Sequence, residues 1–233
     1  MAKQDFENQK RQAAAAAAAA IHNGTRLGLG SGSTVALIVA ALGERRRAGE
    51  LGDLVVVAAS SRTEAGLRAV GIPISSLDDY PELDVAIDGA DEVDPDLATI
   101  KGGGGALLRE RIVLAAAAER MIIVDASKVV PVLGSRWAVP VEITRFGWRV
   151  AERALVALGA TPVLRREAEQ PFITDEGNYI LDCRFGEIPD PRGLAQRISG
   201  LPGVMAHGIF VDLADRVLVA GHHGVETRLK AKV

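Results

Sequence analysis

Short apolar segments alternate with helical patterns in the first part of the chain, and this alternation limits the possible folds more than any other feature. Each segment has the length of a strand and reads as a nearly continuous apolar run. The predicted strands are Arg26–Leu29, Leu54–Ala59, Asp84–Ile87 and Met121–Val124, and the predicted helices include Val35–Leu42, Ala65–Val70 and Ala106–Glu119. Such a pattern is typical of a parallel sheet covered by helices on both faces. Ligands of these sheets bind in loops at the carboxyl ends of the strands.

Beyond Pro131 the pattern changes to that of an α+β unit. The predicted elements are the strands Ala138–Glu142 and Thr161–Arg165, the helix Trp148–Leu158, a hairpin of Phe172–Thr174 with Tyr179–Leu181, and a last helix from Pro191 through Ile198.

At about 150 residues per domain, 233 residues correspond to one large domain or one and a half. The change of pattern predicts a second, smaller domain. Phe210–Asp212 and Val217–Ala220 are apolar segments that we expect to return to the first sheet. The predicted α/β domain therefore comprises residues 1–134 and 211–233, and the smaller α+β domain comprises residues 135–210.

The charge balance and cysteine content exclude several classes of protein. The 27 basic and 30 acidic residues give a net charge of -3, which disfavours nucleic acid and anionic membranes as partners. Cys183 is the single cysteine, so an intrachain disulfide and a Cys-rich zinc site are excluded. No apolar run approaches the length of about 18 residues that spans a bilayer. These features predict a cytoplasmic protein.

An alanine run near the N-terminus has a superficial likeness to a signal peptide. Lys10–Gln12 precede Ala13–Ala20, as basic residues precede the apolar part of a signal. Alanine, however, is the best helix former and a poor membrane residue. Asn23-Gly24 is a typical helix stop. We therefore predict a helix.

The segment Gly28-Leu29-Gly30-Ser31-Gly32-Ser33-Thr34 leads from the first predicted strand into a helix. Small residues at a helix N-terminus direct several backbone N–H groups toward one spot, which suits a phosphate. A tight turn capped by Ser or Thr is the alternative. A dinucleotide fingerprint would need Gly or Ala in place of Ser33, and a Walker loop would need a Lys before Ser33 or Thr34. A nucleophile elbow would need glycines two residues to each side of Ser31 or Ser33.

An acidic segment, Asp88-Gly89-Ala90-Asp91-Glu92-Val93-Asp94, follows the third predicted strand. Its four carboxylates repel one another unless a cation, hydrogen bonds or substrate hydroxyls offset the repulsion. An EF-hand would need an oxygen ligand at Ala90 and a glycine at Asp94. A solvated turn explains the later residues well, but Asp88 and Asp91 lie where such sheets bind ligands.

Lys101-Gly102-Gly103-Gly104-Gly105 precedes a predicted helix that carries Glu110. Four consecutive glycines are entropically costly to order. A flexible linker is the alternative. Its neighbours Ile100 and Ala106–Leu108 look like ordinary strand and helix, which favours one strand-loop-helix unit.

The histidines and the cysteine carry no recognisable chemistry. The residues His22, His207, His222 and His223 form no spaced metal pattern, and we expect the last two in an exposed turn. Cys183 lies in a predicted strand and is interpreted as a packing residue.

Taken together, the segments Gly28–Thr34, Asp88–Glu92 and Lys101–Glu110 resemble ribose-5-phosphate isomerases of the type A family. The likeness continues through Asp125–Lys128, Pro140–Glu142 and Gly200–Val204 in the family's order. The resemblance implies an aldose-ketose isomerase of ribose 5-phosphate and ribulose 5-phosphate in pentose phosphate metabolism. It also implies a homodimer, no metal, no organic cofactor, and a Rossmann-like parallel-sheet domain with a smaller α+β, ferredoxin-like domain.

The resemblance also implies the site residues. The proton acceptor of the family corresponds to Glu110, and Lys101, Asp88 and Asp91 complete the catalytic set. The substrate-binding positions correspond to Ser31, Gly32, Ser33, Thr34, Asp88, Gly89, Ala90, Asp91, Lys101, Gly102, Gly103, Gly104 and Lys128. One departure is Gly105, where the family often has alanine, and it puts the flexibility of that loop in doubt.

Moving a proton between C2 and C1 of a sugar through an enediolate requires a base and a group that stabilises the oxyanion. Glu110 can serve as the base, and Lys101 can supply positive charge to the enediolate oxygen. Asp88 and Asp91 can hydrogen-bond the sugar hydroxyls, and Asp88 is also assigned to ring opening. Two alternatives stay open: a sugar-phosphate sensor without catalysis, and another enzyme of the same broad fold, such as a CoA transferase with a nucleophilic glutamate.

Overall fold

The computed structural model describes the backbone of residues 2–230 and the side chains of residues 5–230. Contacts divide the chain into two compact units. The first contains the described residues up to Ala90, Arg109–Val129 and those from Leu213 on, and the second contains Asp91–Leu108 and Val130–Asp212. The domain boundaries near residues 134 and 210 stay a prediction, which limited proteolysis can test.

The helices and strands of the described residues follow in chain order. The helices are α1 (Ala2–Ala19), α2 (Ser33–Arg47), α3 (Ser61–Ala69), α4 (Leu107–Ala115), α5 (Trp148–Ala157) and α6 (Pro191–Ser199), and Ala126–Lys128 forms a short 3-10 helix. The strands are β1 (Arg26–Leu29), β2 (Val55–Ala58), β3 (Leu83–Gly89), β4 (Glu92–Val93), β5 (Thr99–Ile100), β6 (Ala117–Asp125), β7 (Val139–Ile143), β8 (Thr161–Leu164), β9 (Arg166–Glu167), β10 (Gln170–Pro171), β11 (Tyr179–Arg184), β12 (Val204–His207), β13 (Ile209–Phe210), β14 (Arg216–Gly221) and β15 (Gly224–Leu229).

The first unit is built on a six-stranded sheet with the strand order β15-β14-β6-β3-β1-β2. All neighbours in it are parallel except β15, which is an antiparallel edge strand beside β14. The predicted central parallel sheet flanked by helices is confirmed. The turn between β14 and β15 carries the exposed His222 and His223, as expected.

Alanines of α1 pack in the core of this first unit. Ala13, Ala14, Ala17 and Ala18 are buried together with apolar strand residues such as Ile87. Their spacing of three and four residues places them on one face of the helix. The predicted helix is therefore confirmed, and its small side chains form its buried face. Among the described helices, none is both long and apolar enough to cross a membrane.

The second unit contains a four-stranded antiparallel sheet with the order β12-β7-β11-β8. Helix α5 packs against β8 and β11, and α6 packs against β12. Cys183 on β11 lies in the core that these elements enclose. Burial, with a smaller effect of Asp182, raises the pKa of the Cys183 thiol to about 12. The cysteine is thus a packing residue, as predicted.

The predicted hairpin of Phe172–Thr174 with Tyr179–Leu181 is wrong. Strand β11 pairs with β7 and β8 instead. The hydroxyl of Thr174 and the side-chain amide of Asn178 donate to Glu142 Oε1 at 2.8 and 3.0 Å. A buried carboxylate needs hydrogen-bond donors in the interior, so this segment turns around Glu142 rather than forming a strand.

The helix predicted over Ala106–Glu119 ends early, at Ala115. Strand β6 begins at Ala117, and the N–H of Leu83 donates to the carbonyl of Ala116 at 2.9 Å. The local alanines favour a helix. Pairing with β3 along the sheet outweighs that preference.

The two segments that were predicted to return to the first sheet lie in different sheets. Val217–Ala220 lies in β14 and joins the first sheet beside β6, as predicted. Phe210, in contrast, pairs in β13 with β5, within a three-stranded antiparallel sheet of the second unit. Its partner strand is two residues long, too short to produce an alternating pattern in the sequence.

Asp215, the residue before β14, is hydrogen-bonded to Arg120 on the neighbouring strand β6. Its carboxylate accepts from the backbone N–H, Nε and Nη2 of Arg120, each at 2.8 Å. Burial alone would raise the pKa of Asp215, but the Arg120 hydrogen bonds outweigh it and lower the pKa below its usual value. A lowered folded-state pKa stabilises the fold above the unfolded-state pKa of about 3.9, and this contribution disappears as the pH falls through the folded-state pKa.

We expect Asp215→Asn to lower the free energy of unfolding by about 1 kcal/mol near neutral pH. The difference from the wild type should shrink below about pH 4, where the carboxylate becomes protonated. Urea unfolding of both proteins near neutral pH and below about pH 4 measures this difference in the free energy of unfolding. Asp84→Asn, which breaks the more exposed pair with Arg26, serves as a control with a smaller expected loss. An Asp215→Asn loss that is independent of pH would contradict the prediction.

Candidate active site

The loop after β1 enters α2 without a side-chain cap. The N-cap residue is Gly32, with a φ of 95°, and no side chain accepts a hydrogen bond there. The capped-turn alternative is therefore wrong. A Cβ at Gly32 would meet nothing within 4 Å, so the backbone conformation, and not crowding, favours glycine. Ser33 and Thr34 form the first turn of the helix.

Asp88 lies directly against this loop at the end of β3. The residue is 1% exposed, and its Oδ1 accepts from the N–H groups of Ser31 at 3.1 Å and Gly89 at 2.8 Å. A Cβ on Gly30 would lie 1.8 Å from Asp88 Cγ. Glycine at position 30 therefore leaves the space that the buried carboxylate occupies.

Glu110 meets the same loop from α4. It is 3% exposed, and its Oε1 accepts a hydrogen bond from Ser31 Oγ at 2.9 Å. Sequence alone could not distinguish this residue from a glutamate on a helix surface. The structure places it in the interior, where Ser31 binds two carboxylates: Asp88 through its N–H and Glu110 through its hydroxyl.

The other predicted residues of the first unit follow neighbouring strands. Gly89 ends β3, Ala90 follows it, and Lys128 ends the 3-10 helix after β6. Since β6, β3 and β1 are adjacent and parallel, these residues and Ser33-Thr34 lie at the same edge of the sheet. Their substrate-binding roles stay predictions.

The four-glycine segment is an ordered loop of the second unit. Gly102 and Gly105 have φ values of 99° and 85°, and the N–H of Gly105 donates to the carbonyl of Gly102 at 3.0 Å. The N–H of Gly103 donates to Asp91 Oδ2 at 2.8 Å. The flexible-linker alternative is wrong, and the predicted residues Asp91 and Gly103 are brought together. Gly104, between Gly103 and Gly105 in the chain, is exposed.

Lys101, at the start of this loop, is 2% exposed. Its backbone N–H donates to the carbonyl of Gly208 at 2.9 Å, and its Nζ lies 5.4 Å from the centre of the Phe210 ring. A cation at that distance from an aromatic face is attracted by the ring. The buried lysine is thus held at its backbone and beside an aromatic ring.

The remaining carboxylates of the acidic segment have structural partners. Glu92 is fully buried, and its oxygens accept from the N–H groups of Gly134, Arg136 and Trp137 at 2.6 to 2.8 Å. Asp94 Oδ1 accepts from two backbone N–H groups of its own turn. Burial raises the pKa of Asp94, which those hydrogen bonds partly offset. The predicted repulsion is relieved by backbone donors.

Sequence reasoning missed the residues that hold the glycine loop. Arg165 donates to the carbonyls of Gly102 and Gly103, and it is paired with Asp182. The ring of Phe172 lies where a Cβ on Gly105 would be, with its Cζ 2.5 Å away. No pattern in the sequence marks a single arginine and a single phenylalanine as partners of a loop about 60 residues earlier in the chain.

Known proteins are similar to this chain over most of its length. The model of the family described as ribose 5-phosphate isomerase A (phosphoriboisomerase A) matches residues 55–224. Ribose-5-phosphate isomerase A of Synechococcus sp. strain JA-3-3Ab is 49% identical over 220 residues, which are 94% of this chain and 95% of that protein. The enzyme of Chloroflexus aurantiacus is 48% identical, over 94% of this chain and 92% of its own.

Solved structures agree with these sequence relatives. A D-ribose-5-phosphate isomerase in complex with phospho-erythronic acid has a TM-score of 0.93 and 38% identity, covering 96% of this chain and 99% of that one. The ribose 5-phosphate isomerase A of Methanocaldococcus jannaschii has a TM-score of 0.91 and 39% identity, with the same coverage. Sequence and fold agree over nearly the whole length, and this chain belongs to the ribose 5-phosphate isomerase A family.

Proposed function

We propose that this chain interconverts D-ribose 5-phosphate and D-ribulose 5-phosphate through an enediolate, with Glu110 as the proton acceptor. The activity is that of its family, an aldose-ketose isomerase. The observation that carries the role of Glu110 is its burial against Ser31, whose hydroxyl donates to it at 2.9 Å. A carboxylate held in one orientation is pre-organised to remove a proton from a bound substrate.

In the forward direction the open-chain aldose loses its C2 proton to the Glu110 carboxylate. The electrons of that C–H bond form the C1=C2 double bond, and the former carbonyl oxygen O1 becomes the oxyanion. Glu110 then delivers the proton to C1, O1 gains a proton, and the O2 hydroxyl loses one to become the ketose carbonyl. One carboxylate on one face of the enediolate suffices for both carbon proton transfers.

Asp88 is proposed to act in ring opening. Two backbone N–H groups hold its Oδ1. The carboxylate is therefore fixed beside Ser31 and Glu110 and can accept a sugar hydroxyl proton without reorganising. For the second unit, the corresponding proposals are that Lys101 supplies positive charge to the enediolate oxygen and that Asp91 binds sugar hydroxyls.

The phosphate is proposed to bind the start of α2, from Gly32 to Thr34, together with Lys128, since both donors of Ser31 are bonded to Asp88 and Glu110. Gly32 leaves the first turn of α2 without a side-chain cap, so its N–H groups remain suited to an anion. Family membership supports the further proposals of a cytoplasmic homodimer that needs no metal or organic cofactor. Sedimentation equilibrium measures the assembly directly.

The test is a coupled assay of ribulose 5-phosphate formation from ribose 5-phosphate in the presence of EDTA. We expect full turnover, and exchange of the C2 proton with solvent deuterium in the same reaction. Loss of activity on chelation would contradict the proposal of metal-free catalysis. Saturable binding of ribose 5-phosphate without exchange would indicate a sensor, and a glutamyl thioester trapped by hydroxylamine would indicate a CoA transferase.

A further inference from the structure

Arg165, the residue directly after β8, uses its whole guanidinium in the second unit. Its Nε donates to Asp182 Oδ2 at 2.9 Å and its Nη2 to Asp182 Oδ1 at 2.5 Å. Its Nη1 donates to the carbonyls of Gly102 at 2.9 Å and Gly103 at 3.2 Å. One planar group therefore joins a carboxylate of the sheet to two successive carbonyls of the glycine loop.

Contacts outside the loop, from Asp182 and from the backbone of β11, fix the orientation of this guanidinium. Asp182 lies on β11, which pairs with β8 in register up to Leu164. The backbone N–H of Arg165 donates to the carbonyl of Ile180 at 2.9 Å, so its main chain continues the ladder. The side chain of Arg165 is 15% exposed. Because Nε and Nη2 are both bonded to Asp182, the remaining nitrogen, Nη1, points at the loop. Such a fork-shaped geometry is available to arginine and not to lysine.

The loop itself can be held only through its backbone. Four glycines provide no side chains for packing, and each loses more conformational freedom on ordering than any other residue. Contacts that order it include the two Arg165 hydrogen bonds to carbonyls, the hydrogen bond that the Gly103 N–H donates to Asp91, the Gly105 N–H bond to the Gly102 carbonyl, and the ring of Phe172 against Gly105. The Arg165 guanidinium also lies 5.9 Å from the centre of that ring.

We propose that Arg165 is a positioning residue of the isomerase: through the carbonyls of Gly102 and Gly103 it holds the loop after Lys101 in its working conformation. This inference rests on the proposed function of Lys101 and of the loop N–H groups. Donors that stabilise a developing oxyanion act only when they are oriented before the reaction. A displacement of about 1 Å at such a group can reduce the rate by about 10²-fold.

The test compares Arg165→Lys and Arg165→Ala with Arg197→Lys, a control on the exposed side of α6 in the same unit. We expect Arg165→Lys to lower kcat about 10- to 100-fold with KM within about threefold of the wild type. Arg197→Lys should retain the wild-type kcat. Millimolar guanidinium should restore part of the activity of Arg165→Ala, whereas ethylammonium should not, because only the planar ion reproduces the fork.

Hydrogen exchange separates positioning from general stabilisation. Peptides covering residues 101–108 should exchange faster in Arg165→Lys, while peptides from β7 and β11 keep the wild-type rate. An unchanged kcat, or a loss of activity that follows unfolding of the whole sheet without a loop-specific change, would overturn the inference. If the wild type itself lacked isomerase activity, the proposed function would fail, and the exchange data would still decide whether Arg165 holds the loop.

Discussion

Glu110→Gln is expected to lower kcat by about 10² to 10⁴-fold, the range for loss of a positioned general base. The amide has nearly the same shape and can still accept a hydrogen bond from Ser31 Oγ, so the packing around a side chain that is 3% exposed should persist. It cannot, however, remove a proton from carbon. KM for ribose 5-phosphate should stay within about threefold of the wild type, because removal of the base affects the transition state and not the binding of substrate.

The control for this prediction is Glu44→Gln, the same chemical change on the exposed side of α2. It should leave kcat, KM and the midpoint of thermal unfolding unchanged. A Glu110→Gln protein with more than about a tenth of the wild-type kcat would contradict the role of Glu110. A variant whose KM for ribose 5-phosphate rises while kcat is retained would instead assign this carboxylate to binding.

Gly30→Ala is expected to reduce kcat/KM by about 10²-fold although it adds a single methyl group. That carbon would lie 1.8 Å from Asp88 Cγ and 1.9 Å from Oδ1, so the buried carboxylate must move. The move breaks its hydrogen bonds from the N–H groups of Ser31 and Gly89. Overpacking of this kind also lowers the free energy of unfolding by about 1 to 3 kcal/mol. Steady-state kinetics and urea unfolding measure the two effects.

A second variant separates the loss of activity from the loss of stability. In Gly30→Ala/Asp88→Ala the overlapping carboxylate is removed, so much of the stability should return while turnover stays low. Gly66→Ala, in α3, is the matched glycine control: its Cβ would lie 3.6 Å from Val39 Cγ1 of α2, an ordinary van der Waals contact. It should retain turnover and increase stability by up to about 1 kcal/mol. Wild-type activity in Gly30→Ala would contradict the role assigned to Asp88.

The patterns in the sequence that depend on local periodicity predicted structure well. The strands that became β1, β2, β3 and the apolar half of β6 were predicted because they are continuous apolar runs in a buried parallel sheet. Where long-range pairing competes with local preference, the prediction failed. Ala117 and Ala118 favour a helix but lie in β6, because β3 and β14 provide partners for that strand.

In the site, too, local motifs were predicted from the sequence whereas long-range contacts were not. Glycines, hydroxyls and carboxylates at strand ends, with the family resemblance, identified Ser31, Asp88 and Glu110 as site residues, and their roles stay predictions until the variants are measured. The hydrogen bonds from Ser31 to both carboxylates join chain positions 57 and 79 residues apart. No spacing rule predicts such contacts.

Local periodicity predicted the α/β class of the first unit and the strand-loop-helix arrangement of the glycine segments, and motifs in a fixed order predicted the family. The folded chain was needed to show that Gly32 and not a serine is the N-cap of α2, that Glu110 is buried, and that Arg165, paired with Asp182, donates to the glycine loop. The physical reason is that hydrogen bonds and burial join residues far apart in the chain. A composition rich in glycine shows where the backbone is free to turn, and only the folded chain shows which side chains then hold it in place.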